Sequence, residues 1–247
     1  MSAADAVLDI LFPPRCAFCG KLMDHTGEGV CPACAGALPY VEEDRVRRKI
    51  NGYTGAVAFY YDGPVKEGVR GMKFGQKAWR ARPFGRYVAQ AAAEHLSGEF
   101  DAVTFVPVSA WRRFRRGFDQ ARRLAEAAAK AWDVPAEAVL QKVRNNPAQS
   151  TVKTPAERRA NVRGVYRVRP GARVAGRRFL LIDDVLTTGS TMSACADTLM
   201  AAGAASVVFA VLAGGHQEGS DRKDTGDREL SASSGPDPDK NVAEKLW

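Results

Sequence analysis

The chain has 247 residues and a formal net charge of +8 at neutral pH. That length has room for one α/β domain and a small module, and it can bury a core without disulfide cross-links. No apolar run approaches membrane-spanning length, and the acidic first residues lack the basic segment of a signal peptide. We therefore expect a cytoplasmic protein with no membrane insertion.

The positive charge is unevenly distributed. Residues 218–247 contain five basic and eight acidic residues, which leaves 31 basic and 20 acidic residues in the rest of the chain. The excess favours an anionic partner, and composition alone does not choose between nucleic acid and a polyphosphate. Asp, Ser, Gly, Pro and Lys dominate residues 218–247, so we predict a disordered tail there.

Two Cys-x-x-Cys pairs lie near the start of the chain. Four thiolates at this spacing are typical of a tetrahedral structural zinc site, and Gly20 suits the tight turn after the first pair. Disulfides or a redox pair are the alternative, which a reducing cytoplasm disfavours. We predict a zinc site without a catalytic role, with the ligands Cys16, Cys19, Cys31 and Cys34.

The remaining pattern divides the chain into a small module and a main domain. Residues 1–50 are predicted to contain a short amphipathic helix over 1–12, the zinc module and a charged linker over 35–50. Residues 51–217 are predicted to form an α/β domain. Its strands are expected at 56–61, 102–108, 139–143, 165–168, 179–182 and 205–212, and its helices at 65–74, 79–96, 121–132 and 192–202.

An arginine-rich segment follows the strand predicted to end near Pro107. Arginine binds phosphates with two parallel hydrogen bonds, and Trp111, Phe114 and Phe118 between the arginines are suited to stacking on bases. The alternative is a solvated basic loop whose aromatic rings pack into the core. Residues 144–161 are polar and aperiodic, which predicts a lid over a phosphorylated ligand; disorder without function is the alternative. The candidate pyrophosphate or DNA ligands are Arg112, Arg113, Arg115, Arg116, Gln120, Gln149 and Arg158.

The most specific motif begins at the strand predicted over 179–182. Two carboxylates follow it, then a turn of small and hydroxyl-bearing residues, and then a helix from Met192. A glycine and the amides of a helix N-terminus bind a phosphate, and carboxylates accept hydrogen bonds from sugar hydroxyls or hydrated Mg2+. The motif predicts a ribose 5-phosphate site; an ordinary acidic turn with Ser190 or Thr188 as N-cap is the alternative. The candidate ligands are Asp183, Asp184, Val185, Leu186, Thr187, Thr188, Gly189, Ser190 and Thr191.

These motifs resemble known families. The acidic pair and Thr-Thr-Gly-Ser-Thr resemble the phosphoribosyl pyrophosphate (PRPP) motif of the type I phosphoribosyltransferases. Together with the cysteine pairs, Arg-Gly-Phe-Asp-Gln at 116–120 and the residues at 149–161, the chain resembles the competence protein ComF family (ComFC and GntX-like proteins) from about residue 7 to 212. One departure is Asp119, where that family usually has Asn, and we expect its carboxylate to weaken anion binding locally.

The resemblance implies a type I phosphoribosyltransferase fold, a mostly parallel twisted sheet flanked by helices, behind a small zinc module. It implies PRPP with Mg2+ as ligand, Asp183 and Asp184 holding the ribose diol, and residues 187–191 holding the 5-phosphate. It also implies a role with single-stranded DNA in natural transformation or DNA utilisation, with other DNA-uptake proteins as candidate partners.

Two functions therefore stand. In the first, a Mg2+-dependent phosphoribosyltransferase displaces pyrophosphate from C1 of PRPP with a nitrogen nucleophile. In the second, a non-catalytic nucleic-acid-binding protein keeps the PRPP site as a ligand sensor or phosphate site. The sequence does not identify the acceptor.

Overall fold

The computed structural model describes residues 13–23, 29–75, 77–96, 100–144 and 164–216. Several sequence predictions fall outside the described residues. These are the helix over 1–12, the lid beyond Arg144 with Gln149 and Arg158, and the tail over 218–247. The described residues up to Gly215 belong to one compact unit.

Seven strands are present in the described residues, and five of them form the central sheet. The strands are β1 (Arg47–Ile50), β2 (Tyr53–Tyr60), β3 (Ala102–Phe105), β4 (Leu140–Lys142), β5 (Tyr166–Val168), β6 (Arg178–Leu186) and β7 (Ser206–Gly214). The sheet has the order β1-β2-β7-β6-β3, while β4 and β5 form a separate antiparallel pair. Only β1 is antiparallel to its neighbour, so the predicted mostly parallel sheet is confirmed. The apolar runs of its central strands are buried, as expected for a parallel sheet.

The helices pack on this sheet and on one another. They are α1 (Pro32–Ala35), α2 (Glu43–Val46), α3 (Gly63–Phe74), α4 (Ala81–His95), α5 (Ala110–Arg116), α6 (Gln120–Ala129) and α7 (Ser190–Ala201), with a 3-10 turn at Ala78–Arg80. Helix α4 lies against β2 and β7, and α6 lies against β3 and β6. The two helices also touch each other, and Gly85 permits this because a Cβ there would lie 2.5 Å from the Cβ of Ala127. Within the described residues, no helix has the length and apolar character to cross a membrane.

Strand β6 is longer than the apolar pattern predicts. The pattern ends at Ile182, but the strand continues through both aspartates to Leu186. The cause is its partner, because β7 runs alongside and pairs Asp183 with Val211 and Val185 with Ala213. The acidic pair therefore lies within the ladder, and the turn begins at Thr187.

The arginine-rich segment is a helix, so its interpretation as a loop is wrong. Ser109 caps the start of α5, with its Oγ accepting a hydrogen bond from the backbone N–H of Arg112 at 3.3 Å. Gly117 ends the helix with a φ of 77°, which a glycine adopts without strain. The segment has no apolar periodicity, and α5 buries none of its residues. Capping residues alone signalled this helix.

Part of the segment expected as a linker also has regular structure. Strand β1 pairs with β2 through a two-residue turn, Asn51-Gly52, in which both residues have positive φ. Asn-Gly between two strands is a strong signal for a hairpin turn of this type. The hairpin reaches α7, where the side-chain amide of Asn51 donates to Ser193 Oγ at 2.9 Å and the hydroxyl of Tyr53 donates to Asp197 at 2.6 Å.

The first cysteine pair is attached to the main core. Phe18, between the two cysteines, is only 1% exposed and packs its ring 5.2 Å from Phe84 and 6.1 Å from Phe59. The guanidinium of Arg80 is buried beside it and donates to the backbone oxygens of Phe18 at 3.1 Å and Gly68 at 3.0 Å. The cysteine segment, α3 and α4 therefore share one packed region.

Candidate functional site

The sulfur atoms of the four cysteines converge. All four lie within 4.8 Å of one another, and the sulfurs of Cys19 and Cys31 are 3.8 Å apart. A tetrahedral Zn2+ with Zn–S bonds of about 2.3 Å places its sulfurs about 3.8 Å apart. The cluster therefore fits zinc, and its sulfur atoms lie farther apart than the two bonded sulfurs of a disulfide.

The backbone around the first pair is shaped for thiolates. The N–H of Gly20, at a φ of 82°, donates to the carbonyl oxygen of Cys16 at 2.8 Å and closes a tight turn. Burial raises the pKa of Cys16, but backbone amides of Cys31, Cys19 and Phe18 outweigh it and lower the pKa to about 6. Burial and the neighbouring thiols raise the pKa of Cys34. Full ionisation of the cluster thus depends on a bound cation.

Asp184 of the acidic pair is buried and only partly satisfied, and Asp183 is half-buried. Asp184 is 4% exposed, and its Oδ1 lies 2.8 Å from the Nζ of Lys73 at the end of α3. Its other oxygen, Oδ2, has no hydrogen-bond partner among the described residues. Such an orphaned carboxylate oxygen fits a cation or a sugar hydroxyl. The pair therefore has the right chemistry for Mg2+ or a ribose diol.

Asp183 is held close to its neighbour. The backbone N–H of Asp184 donates to Oδ1 of Asp183 at 2.8 Å. Burial, and then the negative charge of Asp184, raise the pKa of Asp183, while Lys73 opposes the rise. At neutral pH the ligand-free pair therefore resists carrying two full negative charges.

The turn after β6 opens onto the first turn of α7. Gly189 occupies the N-cap position with a φ of 72°, so the 12-residue helix begins without a side-chain cap from that position. A Cβ at Gly189 would lie 2.4 Å from Ile50 Cγ2, which makes glycine necessary there. The hydroxyls of Thr188 and Ser190 are 2.9 Å apart, and Thr187 and Thr188 are exposed. Hydroxyls and first-turn amides together are suited to a phosphate.

One arginine of α5 interacts electrostatically with the acidic pair. Arg116 is half-buried, and its guanidinium lies 5.6 Å from the centre of the Phe74 ring. Burial lowers the pKa of Arg116, and the charge of Asp184 opposes that change. Asp184 therefore forms an ion pair with Lys73 of α3 and interacts electrostatically with Arg116 of α5.

Aromatic rings on and near α5 are exposed. Phe114 is 89% exposed, Phe74 is 66% exposed and Trp111 is 58% exposed. The guanidinium of Arg115 lies 5.1 Å from the Trp111 ring centre. The alternative in which these aromatic rings pack into the core is therefore wrong for Trp111 and Phe114, and holds only for Phe118, which is half-buried against it.

Two known protein families match this chain. The phosphoribosyl transferase domain family matches residues 85–243, more than half of the chain. The chain belongs to this family. A second family, the double zinc ribbon domain, matches residues 7–47, which include all four cysteines. The predicted phosphoribosyltransferase fold with an N-terminal zinc module is confirmed.

Two relatives agree with this assignment. Competence protein F of Haemophilus influenzae is 25% identical over 186 residues, covering 73% of this chain and 76% of that protein. DNA utilization protein YhgH of Salmonella typhimurium is 28% identical over 203 residues, covering 78% of this chain and 86% of that protein. The resemblance of this phosphoribosyltransferase-family chain to the competence protein ComF family is thereby confirmed.

A solved structure shows a more partial likeness. Glutamine PRPP amidotransferase from B. subtilis, complexed with ADP and GMP, is 27% identical with a TM-score of 0.37. The match covers 54% of this chain and 26% of that one.

The structure separates the predicted arginine ligands. Arg116 approaches Asp184, whereas Arg113 lines a cavity on another side of α5. Gln120 is buried, with an Oε1 that has no partner in the described part of the chain. Asp119 caps α6 by accepting from the backbone N–H of Arg122 at 3.2 Å, which gives this departure from the family pattern a structural role.

Sequence reasoning missed Lys73, Phe74 and Arg80. In the sequence, Lys73 and Phe74 mark only the end of the helix predicted over 65–74, where a lysine is common. Arg80 carried no local signal at all. Each acquires its importance from a contact with a distant segment.

We expect Cys16→Ser to release zinc and to destabilise the whole phosphoribosyltransferase domain, because Phe18 anchors the cysteine segment in its core. The midpoint of thermal unfolding should fall by at least about 5 °C, since 1 kcal/mol corresponds to about 2–4 °C at this size. Elemental analysis and calorimetry measure the two effects. Cys195→Ala, a buried cysteine outside the cluster, should retain zinc. Full zinc content in Cys16→Ser would contradict the assignment.

We expect Asp183→Asn to stabilise the ligand-free protein at neutral pH. A carboxyl whose folded pKa is raised costs stability above its unfolded pKa of about 3.9, and the cost grows until the folded carboxyl ionises. The gain should therefore be absent near pH 4 and reach at least about 1.4 kcal/mol, equivalent to one pKa unit, at pH 8. Urea unfolding in Mg2+-free buffer measures it. Asp62→Asn, at an exposed carboxylate, is the control; equal curves for both variants would refute the raised pKa.

Proposed function

We propose that the chain binds PRPP with Mg2+ at the end of β6, binds single-stranded DNA on α5, and acts in DNA uptake or utilisation. The observation that carries the proposal is the buried, half-satisfied carboxylate of Asp184 beside an open phosphate-type turn. Membership of the phosphoribosyl transferase domain family supports it.

The 5-phosphate of PRPP binds the turn formed by residues 187–191. Backbone amides at the start of α7 point out of the helix, and the helix dipole favours a dianion there. Exposed Thr187 and Thr188 add hydroxyl donors, and Gly189 lets the phosphate approach the main chain. Asp183 and Asp184, immediately before the turn, hold the ribose hydroxyls.

Mg2+ binds at the same edge of the sheet. Its ligand there is Oδ2 of Asp184, which has no hydrogen-bond partner among the described residues. Bound Mg2+ supplies neutralisation of the pyrophosphate charge. On ligand binding, Lys73 turns from Asp184 to the pyrophosphate, because a ligand that satisfies Asp184 frees this lysine, and Arg116 adds a second positive charge nearby. Gln149 and Arg158 remain predicted ligands that lie outside the described residues.

If turnover occurs, the described residues contribute positioning and electrostatics. The carboxylates and the turn fix C1 relative to an incoming nitrogen, and the cations stabilise charge on the leaving pyrophosphate. The proposed reaction uses no protein nucleophile, so the buried Cys195, whose pKa burial raises, acts only in packing.

The DNA proposal rests on exposed rings interleaved with arginines. Phe114, Trp111 and Phe74 each expose an aromatic ring, and Arg112, Arg113 and Arg115 are exposed on the same helix as Trp111 and Phe114. Rings stack on bases of any sequence while arginines neutralise phosphates, which is the chemistry of single-strand binding. Relatives named for competence and DNA utilization support this role.

We expect Asp183→Asn and Asp184→Asn each to weaken PRPP binding in the presence of Mg2+ by at least about tenfold, because each removes a charged acceptor. Isothermal titration calorimetry measures the affinity, and circular dichroism checks the fold. Asp133→Asn, an exposed site in a left-handed conformation that Asn tolerates, should bind as the unmodified protein does. Unchanged affinity in both site variants would show that the acidic pair does not hold the ligand.

We expect Trp111→Ala and Phe114→Ala each to weaken binding of a single-stranded oligonucleotide about fivefold or more, since one base stack contributes about 1–3 kcal/mol. Fluorescence anisotropy measures it. Met200→Ala removes an exposed apolar side chain near the far end of α7 and should change nothing.

The salt dependence of the same assay tests the electrostatic part. Arg115→Gln should reduce the slope of log K against log salt by about 0.7, the value for one neutralised phosphate. An affinity that does not change with salt would exclude phosphate contacts on α5.

A further inference from the structure

A cavity of about 500 Å3 lies beside α5, apart from the acidic pair. It opens between α5, the start of α6 and the antiparallel pair β4–β5, at the end of β3. Its lining includes neither the aspartates nor residues 187–191. The volume is within the range of small-ligand sites, so it offers space for a second ligand.

Helix α5 contributes residues both to this cavity and to the surroundings of the proposed PRPP site. Arg113 and Gly117, four residues apart, line the cavity. Arg116 lies on another side and senses Asp184. Trp111 and Phe114 face solvent. Positions i and i+4 share a helix face. The arginines on different faces of this short helix therefore lie in different environments.

The cavity has an uncompensated positive charge. Its two acidic lining residues are already engaged: Glu126 pairs with Arg122 at 2.8 Å and with Arg123 at 3.4 Å, and Asp119 accepts from backbone amides. The remaining cations are Arg113, Lys142 and Arg169, and none of them forms an ion pair with a described residue.

Lys142 strengthens the case for an anion. It is half-buried on β4, and burial, together with the charge of Arg112, lowers its pKa. A bound anion would favour the charged lysine and relieve this repulsion. A phosphate bound in the cavity would therefore be stabilised electrostatically.

Part of the cavity lining is apolar. Phe105 and Phe118 contribute aromatic rings, and Val108 and Ala138 contribute aliphatic surface. A ligand that fits must combine a flat apolar part with an anionic part. A nucleotide has this combination, because its base stacks on rings and its phosphate binds arginine and lysine.

We propose that this cavity binds a nucleoside monophosphate unit, with the base against Phe118 and the phosphate at Arg113, Lys142 and Arg169. The unit is either a free nucleotide or one nucleotide of a DNA strand that lies on α5. The cavity site stands independently of PRPP binding, and only its strand form rests on the proposed single-strand binding.

The test is calorimetric titration of the full chain with deoxyadenosine monophosphate, deoxyadenosine and inorganic phosphate. The background is Thr188→Glu, which places a carboxylate in the phosphate turn and so removes binding there. The monophosphate should bind more tightly than either of its parts. Arg113→Ala and Arg169→Ala should each weaken it by about tenfold.

Arg82→Ala is the matched control, because it removes an exposed arginine of α4 that neither lines the cavity nor belongs to the proposed DNA-binding surface. It should leave nucleotide affinity unchanged. Equal losses in Arg113→Ala and Arg82→Ala would reduce the effect to general charge attraction and overturn the cavity site. If the monophosphate binds the unmodified protein but not the Thr188→Glu variant, the nucleotide binds at the turn and the cavity site is overturned. Absence of binding at millimolar nucleotide would overturn the cavity site as well.

A competition arm distinguishes the two sources. If a deoxyadenosine oligonucleotide displaces the monophosphate from the cavity, the site takes a nucleotide of the strand. If strand and monophosphate bind together, the site takes the free nucleotide. PRPP titration of Arg113→Ala keeps the two proposals apart, because its PRPP affinity should equal that of the unmodified protein whether or not the cavity binds nucleotide.

Discussion

The ion pair between Lys73 and Asp184 joins the end of α3 to the end of β6. A carboxylate at 4% exposure needs a counter-charge, since an unpaired buried charge is strongly unfavourable. The position of α3 is fixed in turn by Arg80, which bonds the backbone oxygens of both Gly68 on α3 and Phe18 in the cysteine segment. A continuous series of contacts thus runs from the zinc-ribbon cysteines to the acidic pair.

The same ion pair leaves the site incomplete. One oxygen of Asp184 lacks a partner among the described residues, and the pKa of Asp183 is raised by burial and by its neighbour. Perturbed carboxyls of this kind are common at functional sites, where a ligand supplies what folding does not. A cation or a pair of hydroxyls satisfies both groups together. The cost of holding two carboxylates side by side therefore makes the free chain selective for ligands that carry positive charge or hydrogen-bond donors.

Local motifs were readable from the sequence, and contacts between distant segments were not. The zinc cluster was predicted because its ligands come in pairs three residues apart, and the motif over 183–191 because strand, turn and helix follow one another. The true end of β6 depends on pairing with β7, which apolar periodicity does not register. Lys73 is 111 positions from Asp184, so no window of sequence connects them. The helical state of α5 was missed because only its caps, Ser109 and Gly117, mark it.

Helix α5 shows why a short charged segment can organise several ligands. It carries four arginines within five positions and buries none of its residues, so like charges three and four apart oppose its formation. Because no residue of the helix is buried, packing does not offset that repulsion. A helix cap typically contributes only about 1 kcal/mol of stability. Anions on any of its faces would neutralise the repulsion and favour the helix. A phosphate bound near Arg116 would therefore stabilise the helix that presents Trp111 and Phe114, which links the proposed PRPP and DNA sites without a direct contact between their ligands.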